Sequence, residues 1–90
     1  MKITITDIGT GRALNTWTIM VAMVNGKRYG IQMVRFDEPS QYGIRNGRIS
    51  KLFMRTTDGS EVINYDRGWD QRPTTAEGKA LLKEITKKFN

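Results

Sequence analysis

Four carboxylates are the residues of this sequence whose types and spacing could do chemistry. Asp66 and Asp70 are four residues apart, and Asp37 and Glu38 are adjacent. Paired carboxylates can exchange protons when their environments separate their pKa values, and their oxygens can also hold Mg²⁺. In the structural alternative, Asp66 pairs with a nearby arginine and Asp70 precedes a helix, where an acidic side chain is favoured. We favour the structural alternative, which predicts no catalytic residue, no metal site and no enzyme activity.

The composition removes the side chains on which most small catalytic and metal sites depend. The 90 residues include no histidine, the commonest general base, and no cysteine, which excludes thiolate chemistry and disulfides. We therefore expect no cofactor, and the lack of cysteine fits a reducing compartment. The longest apolar block, residues 19–24, is far shorter than a membrane span, and the first residues do not resemble a signal peptide. These features predict a soluble cytoplasmic protein with no membrane partner.

One part of the chain carries basic residues and no acidic ones. Fifteen Lys and Arg against nine Asp and Glu give a formal charge of +6, which favours polyanions or acidic protein surfaces. Between residues 39 and 57 every charged residue is basic: Arg45, Arg48, Lys51 and Arg55. In a strand that starts near residue 48, Lys51 and Arg55 share one side with Phe53, as in a platform for single-stranded nucleic acid. There are two alternatives. The face is simply solvated, with the aliphatic parts of the lysine and arginine side chains covering apolar area, or it contacts an acidic protein.

The segment 37–47 is the longest irregular part of the chain. Its aromatic residue, Tyr42, is the best candidate for an exposed contact. Gly43 and Gly47 do not form a phosphate loop, because the Gly-Lys-Ser/Thr ending and the strand-to-helix setting are missing. We interpret them as positions with positive φ or a β-bulge.

Alternating apolar blocks and two turn signals predict an antiparallel sheet in a single domain, residues 1–90. Strands are predicted at about 2–8, 14–24, 28–36, 48–56 and 61–66. Asn25-Gly26 and Asp58-Gly59 are hairpin signals, because both dipeptides accept positive φ values.

A helix is predicted at about 75–89. Thr74 and Glu77 have the spacing of a capping box, and apolar residues then recur at helical spacing. Gly78 is expected to allow a close approach of helix to sheet. The fold class is therefore α+β: a five-stranded twisted antiparallel meander, open or barrel-like, with one C-terminal helix on one face. The predicted core residues are Trp17, Ile19, Val21, Ile31, Met33, Leu52, Ile63, Leu81, Leu82, Ile85 and Phe89.

The stretch "NYDRGW", residues 64–69, combines residues that could stack, pair charges or bind a ligand. Its spacing favours a structural corner. Asp66 and Arg67 are placed for local pairing, and Gly68 is expected to let the chain turn. Trp69 is then expected to lie between the sheet and the helix.

Two phrases carry a resemblance to a known family. They are "YGIRNGRISKL" at 42–52 and "INYDRGWD" at 63–70, followed by a proline, a threonine and a short C-terminal helix. This part of the chain resembles a family of small uncharacterised proteins of Gram-positive bacteria, their phages and mobile elements. The resemblance covers about the last 50 residues and implies no enzymatic activity. It implies a small accessory protein that binds a host protein, such as a CRISPR effector of a defence system.

The expected function is therefore that of a non-catalytic binding protein that acts on a host protein with an acidic surface. The alternative is a nucleic-acid-binding accessory protein that uses the same basic sheet face. The expected contact residues are the same for both: Tyr42, Arg45, Arg48, Lys51 and Arg55. The sequence leaves open whether the protein is a monomer or a homodimer.

Overall fold

The computed structural model describes residues 2–7 and 17–90, which form an antiparallel sheet with one helix packed against it. The strands are β1 (Ile3–Asp7), β2 (Thr18–Val24), β3 (Lys27–Arg35), β4 (Ile49–Thr56), β5 (Glu61–Asp66) and β6 (Trp69–Gln71), and the helix is α1 (Ala76–Phe89). The strands lie side by side in chain order, each antiparallel to the next, and the sheet does not close. The predicted α+β meander is confirmed with six strands instead of five. Residues 8 and 14–16 of the predicted strands lie outside the described residues.

The Asn25-Gly26 hairpin sets the register of the two central strands. Asn25 has φ 51° and Gly26 has φ 82°, and Val24 pairs with Lys27 across this two-residue turn. Both residue types accept positive φ, which the right-handed twist of the strands requires at such a turn. The predicted hairpin is confirmed, and its register pairs Ala22 with Tyr29.

The side of β2 that faces the core is the opposite of the predicted one. Its buried apolar residues are Met20, Ala22 and Val24, whereas Trp17 and Ile19 are 42% and 41% exposed and Val21 is half-buried. Both sides of β2 are apolar, so composition does not distinguish them. The hairpin register does, because directly paired residues share a face and Ala22 pairs with the buried Tyr29. The assignment of Trp17, Ile19 and Val21 to the core is wrong.

The remaining core predictions agree with the structure. The buried ones are Ile31, Met33, Leu52, Ile63, Leu81, Leu82 and Ile85. Phe89 is half-buried and packs against this cluster, with the guanidinium carbon of Arg35 5.3 Å from its ring centre.

The β4–β5 turn is held by the Asp58 carboxylate. The Thr56 hydroxyl and the Ser60 amide donate hydrogen bonds to it, the latter at 3.0 Å, and together they lower the pKa of Asp58 from 3.8 to about 2. Gly59 follows with φ 87°, which favours glycine. The predicted Asp58-Gly59 turn is confirmed.

Because Asp58 titrates in acid, this turn should make the free energy of unfolding decrease as the pH falls. Because the pKa of Asp58 is lower in the folded chain, its contribution is present above about pH 4 and is lost as the pH falls through 2. Asp58→Asn should therefore be less stable than the native chain at pH 5, and this difference should shrink toward pH 2. Urea unfolding at the two pH values measures it. A difference that stayed constant would contradict this role for the carboxylate.

The stretch "NYDRGW" forms a third hairpin, β5–β6, where its spacing had indicated only a structural corner. Arg67 adopts the left-handed conformation with φ 54°, so the arginine, and not Gly68, makes the turn. The Asp66 amide donates to the Gly68 carbonyl at 3.0 Å. Trp69 pairs with Tyr65 across the hairpin and meets its ring edge-on at 5.1 Å. Trp69 is half-buried against the core instead of fully enclosed.

Helix α1 begins one residue later than the predicted capping box. The N-cap is Thr75, whose hydroxyl accepts the Gly78 amide at 3.0 Å. The expected close approach at Gly78 is present, because a β-carbon there would lie 2.9 Å from Cγ1 of Val62 on the sheet. Within the described part of the chain, no helix has the length and apolar character needed to cross a membrane.

Candidate binding face

The side of the sheet opposite α1 is a mixed apolar and basic surface, which we call the open face. Strand alternation and register place these side chains on it: Ile19, Val21 and Met23 of β2, Arg28 and Gln32 of β3, and Lys51, Phe53 and Arg55 of β4. Ile19 and Met23 are 41% and 39% exposed. Apolar area thus lies beside basic residues that present charge to solvent.

An aromatic pair marks one end of the open face. The rings of Trp17 and Phe53 are 5.6 Å apart with a tilt of 37°. The Lys51 ammonium lies 5.9 Å from the Trp17 ring centre and 3.9 Å from the Asp66 carboxylate. Both ionic partners are substantially exposed, so this pair contributes little to stability. The arrangement can offer a ligand a ring surface and a cation together.

A groove of about 300 Å³ crosses the middle of the open face. Gly30 lies at its centre, because it is paired with Val21 on one side and Arg55 on the other. Ile19, Phe53 and Gln32 also line the groove. Its lining is mostly apolar, with one guanidinium and one amide, which suits a side chain with an apolar body and a polar tip.

The structure divides the five predicted contact residues between different surfaces. Lys51 and Arg55 lie on the open face, each two strand positions from Phe53 and on opposite sides of it, as their spacing indicates. Arg48 is half-buried immediately before β4, where its Nε donates a hydrogen bond to the Phe36 carbonyl at 3.1 Å. Arg48 therefore holds the end of segment 37–47.

Tyr42 and Arg45 lie on the helix side of the molecule. Tyr42 is 54% exposed, and its carbonyl accepts the hydroxyl of the core residue Tyr65 at 2.8 Å. Burial raises the pKa of Tyr65, which further favours the protonated hydroxyl that donates this hydrogen bond. Arg45 has φ 52° and lines a shallow depression beside Lys83 and Lys87 of α1. Whether either residue contacts a partner stays a prediction.

Segment 37–47 is fixed by bonds to distant parts of the chain. The Asn90 side chain donates to the Ile44 carbonyl at 2.8 Å and accepts the Ile49 amide at 3.1 Å. The φ values of Gly43 and Gly47 are −83° and −100°, so the predicted positive φ is wrong for both. Their role is close approach, since a β-carbon on Gly47 would overlap the Asn90 side chain.

The carboxylates singled out from the sequence differ in their surroundings, and Asp66 has the local basic partners expected of it. Asp66 lies 3.9 Å from Lys51 and 3.8 Å from Arg67. Asp70 is an exposed residue of β6 and does not precede the helix directly, which corrects that expectation. Within residues 2–7 and 17–90, no group of three or more acidic side chains is close enough to hold a metal ion.

Sequence reasoning missed much of this surface. Trp17, Ile19 and Val21 were expected in the core, while Met23 and Gly30 were given no role on the surface. The signal that identifies Ile19 is the two-residue turn at Asn25-Gly26, which pairs it with the polar Gln32. The same register identifies Gly30, because it places a residue without a side chain opposite Val21. On the other side, Gly30 is paired with Arg55 of β4.

One known family matches this chain over most of its length. A family model described as "Domain of unknown function (DUF7678)" matches residues 16–90. The match therefore takes in β2 to β6, α1, the open face and segment 37–47. Searches of curated proteins and of solved structures found no match.

Proposed function

The chain belongs to the DUF7678 family, whose function is unknown, and from that premise we propose that it is a non-catalytic module that binds an acidic protein segment through its open face. The observation that carries this proposal is the exposed apolar strip of Trp17, Ile19 and Met23 beside the basic side chains of β3 and β4. Exposed apolar area bordered by charge is typical of protein interaction surfaces. Trp, Met and Arg are also enriched in such interfaces.

The charges of the open face indicate the chemistry of the partner. Arg28 and Arg55 are exposed, and neither lies within 4.0 Å of a described carboxylate. A partner with acidic residues around an apolar centre would meet these guanidinium groups at the edge of the interface. Such rim charges mainly raise the association rate and select the partner, while the apolar centre supplies affinity.

We assign the partner to the host cell of a phage or mobile element. This assignment is supported by the resemblance of "GRISKL" at 47–52 and "NYDRGWD" at 64–70 to proteins of that origin. Such accessory proteins commonly bind a host protein, which is sometimes a defence-system protein such as a CRISPR effector. The small size of the chain and its lack of histidine and cysteine support binding over catalysis.

Single-stranded nucleic acid is the second candidate, favoured by the Trp17–Phe53 pair beside Lys51. Bases stack on aromatic rings while lysines contact the phosphates. Beyond Trp17, the apolar residues Ile19, Val21 and Met23 of β2 offer no ring for further bases. The open face therefore supports a protein partner better.

Capture of a host protein by matched charge variants tests the proposal. Arg55→Glu on the open face and Lys83→Glu on α1 make the same change of charge at exposed residues on opposite sides of the molecule. The native chain and Lys83→Glu should enrich the same host protein, and Arg55→Glu should bind it at least about tenfold more weakly, or 1.4 kcal/mol. Mass spectrometry then identifies the protein and its class. Equal enrichment by both variants would exclude the open face.

A salt titration separates the nucleic-acid candidate. If the chain binds single-stranded DNA or RNA through the open face, Arg55→Glu should reduce the slope of log affinity against log salt by at least about 0.7. A strong slope that Arg55→Glu reduces and Lys83→Glu does not, without any captured protein, would replace the protein partner with nucleic acid.

A further inference from the structure

Gly30 occupies a position where glycine is a disadvantage to the fold. It lies in the middle of β3, a central strand of the sheet, with β2 and β4 on either side. Glycine weakens a strand interior, because it has no side chain to pack and much conformational freedom to lose. A residue of this type at the centre of the sheet therefore requires another explanation.

Neither backbone conformation nor internal packing explains this glycine. Among the described glycines, only Gly26 and Gly59 have positive φ. The pairing of β3 with β2 and with β4 is regular through Gly30, so it is not at a bulge. A β-carbon built on it would meet no atom within 4 Å. The remaining reason for glycine in a strand is the close approach of another molecule.

The aromatic residue that could cover Gly30 is turned elsewhere. An aromatic side chain on a neighbouring strand can cover a glycine in a sheet. Phe53 is such a neighbour, since it pairs with Gln32, but its ring packs beside Trp17 at 5.6 Å. The space above Gly30 is consequently left open as the centre of the 300 Å³ groove.

We infer that the open space above Gly30, which we call the notch, receives one tryptophan or tyrosine side chain of the acidic partner segment. This inference rests on the proposed function. The ring would lie on the Gly30 backbone between Val21 and Arg55, with Ile19 and Phe53 in the next row of the same groove. The Arg55 guanidinium lines the same groove and can lie against the ring face, while the Gln32 amide can bond the indole N–H or phenol O–H. An aromatic anchor in a central pocket, with charges at the rim, is the usual organisation of an energetically dominant contact.

The notch offers a substitution that separates binding from folding. Gly30→Val places a branched side chain in the groove, where space is open, and valine is favoured in strands. Its melting temperature should equal or exceed that of the native chain. Gly68→Val is the matched control, because a β-carbon there also meets nothing within 4 Å and its φ is not positive. If Gly30→Val does not fold, Gly30→Ala takes its place.

Calorimetry with synthetic peptides tests the occupant. The probes are a short glutamate-rich peptide with one central tryptophan and the same peptide with alanine in its place. The native chain and Gly68→Val should bind the tryptophan peptide at least about tenfold more tightly than the alanine peptide, and Gly30→Val should lose this preference. The inference would be overturned if the native chain bound both peptides equally. It would also be overturned if Gly30→Val still preferred the tryptophan peptide.

The outcomes distinguish this inference from the proposed function. If both peptides bind equally and Arg55→Glu abolishes binding, the open face stands as the site and only the notch fails. If neither peptide binds the native chain, both proposals fail. If the peptides do not bind but single-stranded oligonucleotide does, and Gly30→Val removes that binding, the notch holds a nucleobase and the protein side chain is excluded.

Discussion

Leu81→Ala should lower the free energy of unfolding by about 2–5 kcal/mol. Leu81 lies in the middle of α1, is fully buried, and belongs to the cluster that joins the helix to the sheet. Truncation removes apolar contacts and leaves a cavity that the surrounding strands can fill only in part. Because a domain of this size has only about 5–15 kcal/mol of stability in total, the variant should be marginally folded. Urea unfolding followed by circular dichroism measures the difference.

Lys79→Ala is the control for this prediction. Lys79 is exposed on the same helix, and alanine favours a helix slightly more than lysine does, so its effect should stay within about 0.5 kcal/mol. If Leu81→Ala were as stable as Lys79→Ala, α1 would not cover the core as described.

Gly43→Ala should destabilise the chain by about 1–3 kcal/mol, through crowding instead of a cavity. A β-carbon on Gly43 would overlap the Gly47 carbonyl group, whose carbon atom would lie only 2.7 Å away. Both groups are backbone, so no flexible side chain can move aside. The same carbonyl accepts the Ser40 amide at 2.9 Å, and the Gly43 amide donates to Ser40 at 3.0 Å, so the alanine would disturb both bonds.

The measurement for Gly43→Ala pairs stability with local structure. Thermal unfolding gives the loss, and amide hydrogen exchange in segment 37–47 should show weaker protection than in the native chain. Gly68→Ala is the comparison, because a β-carbon there has nothing within 4 Å and the substitution should be nearly neutral. Equal stability of the two variants would contradict the close approach of Gly43 and Gly47.

Residue types near the turns and the helix were enough to predict most of the architecture. Asn25-Gly26 and Asp58-Gly59 have few other backbone conformations as favourable as a turn, and the apolar stripe of α1 has a clear helical period. The orientation of β2 was wrong because both of its sides are apolar. Register decides between them, and the two-residue turn already implied that register. Strand β6 was missed because three residues are too few for an alternating pattern.

The candidate site was harder to predict than the fold. Lys51 and Arg55 share a face because strand geometry fixes their direction, so this prediction needed only local information. Tyr42 and Arg45 belong to a segment without a period, whose position depends on Asn90, more than 40 residues further along the chain. No local rule connects such distant residues. Gly30 contributes by having no side chain. The groove that this leaves can be recognised only when the neighbouring strands β2 and β4 are in place.

The order of the elements has a consequence for synthesis on the ribosome. Each strand pairs with the one made just before it, so the sheet can assemble hairpin by hairpin as the chain emerges. The helix that covers the core is the last of these elements and contains 14 residues. At about 5–20 residues per second, its translation takes about one to three seconds. During that interval the nascent sheet exposes two apolar faces instead of one, and it is then that a chaperone has most to bind.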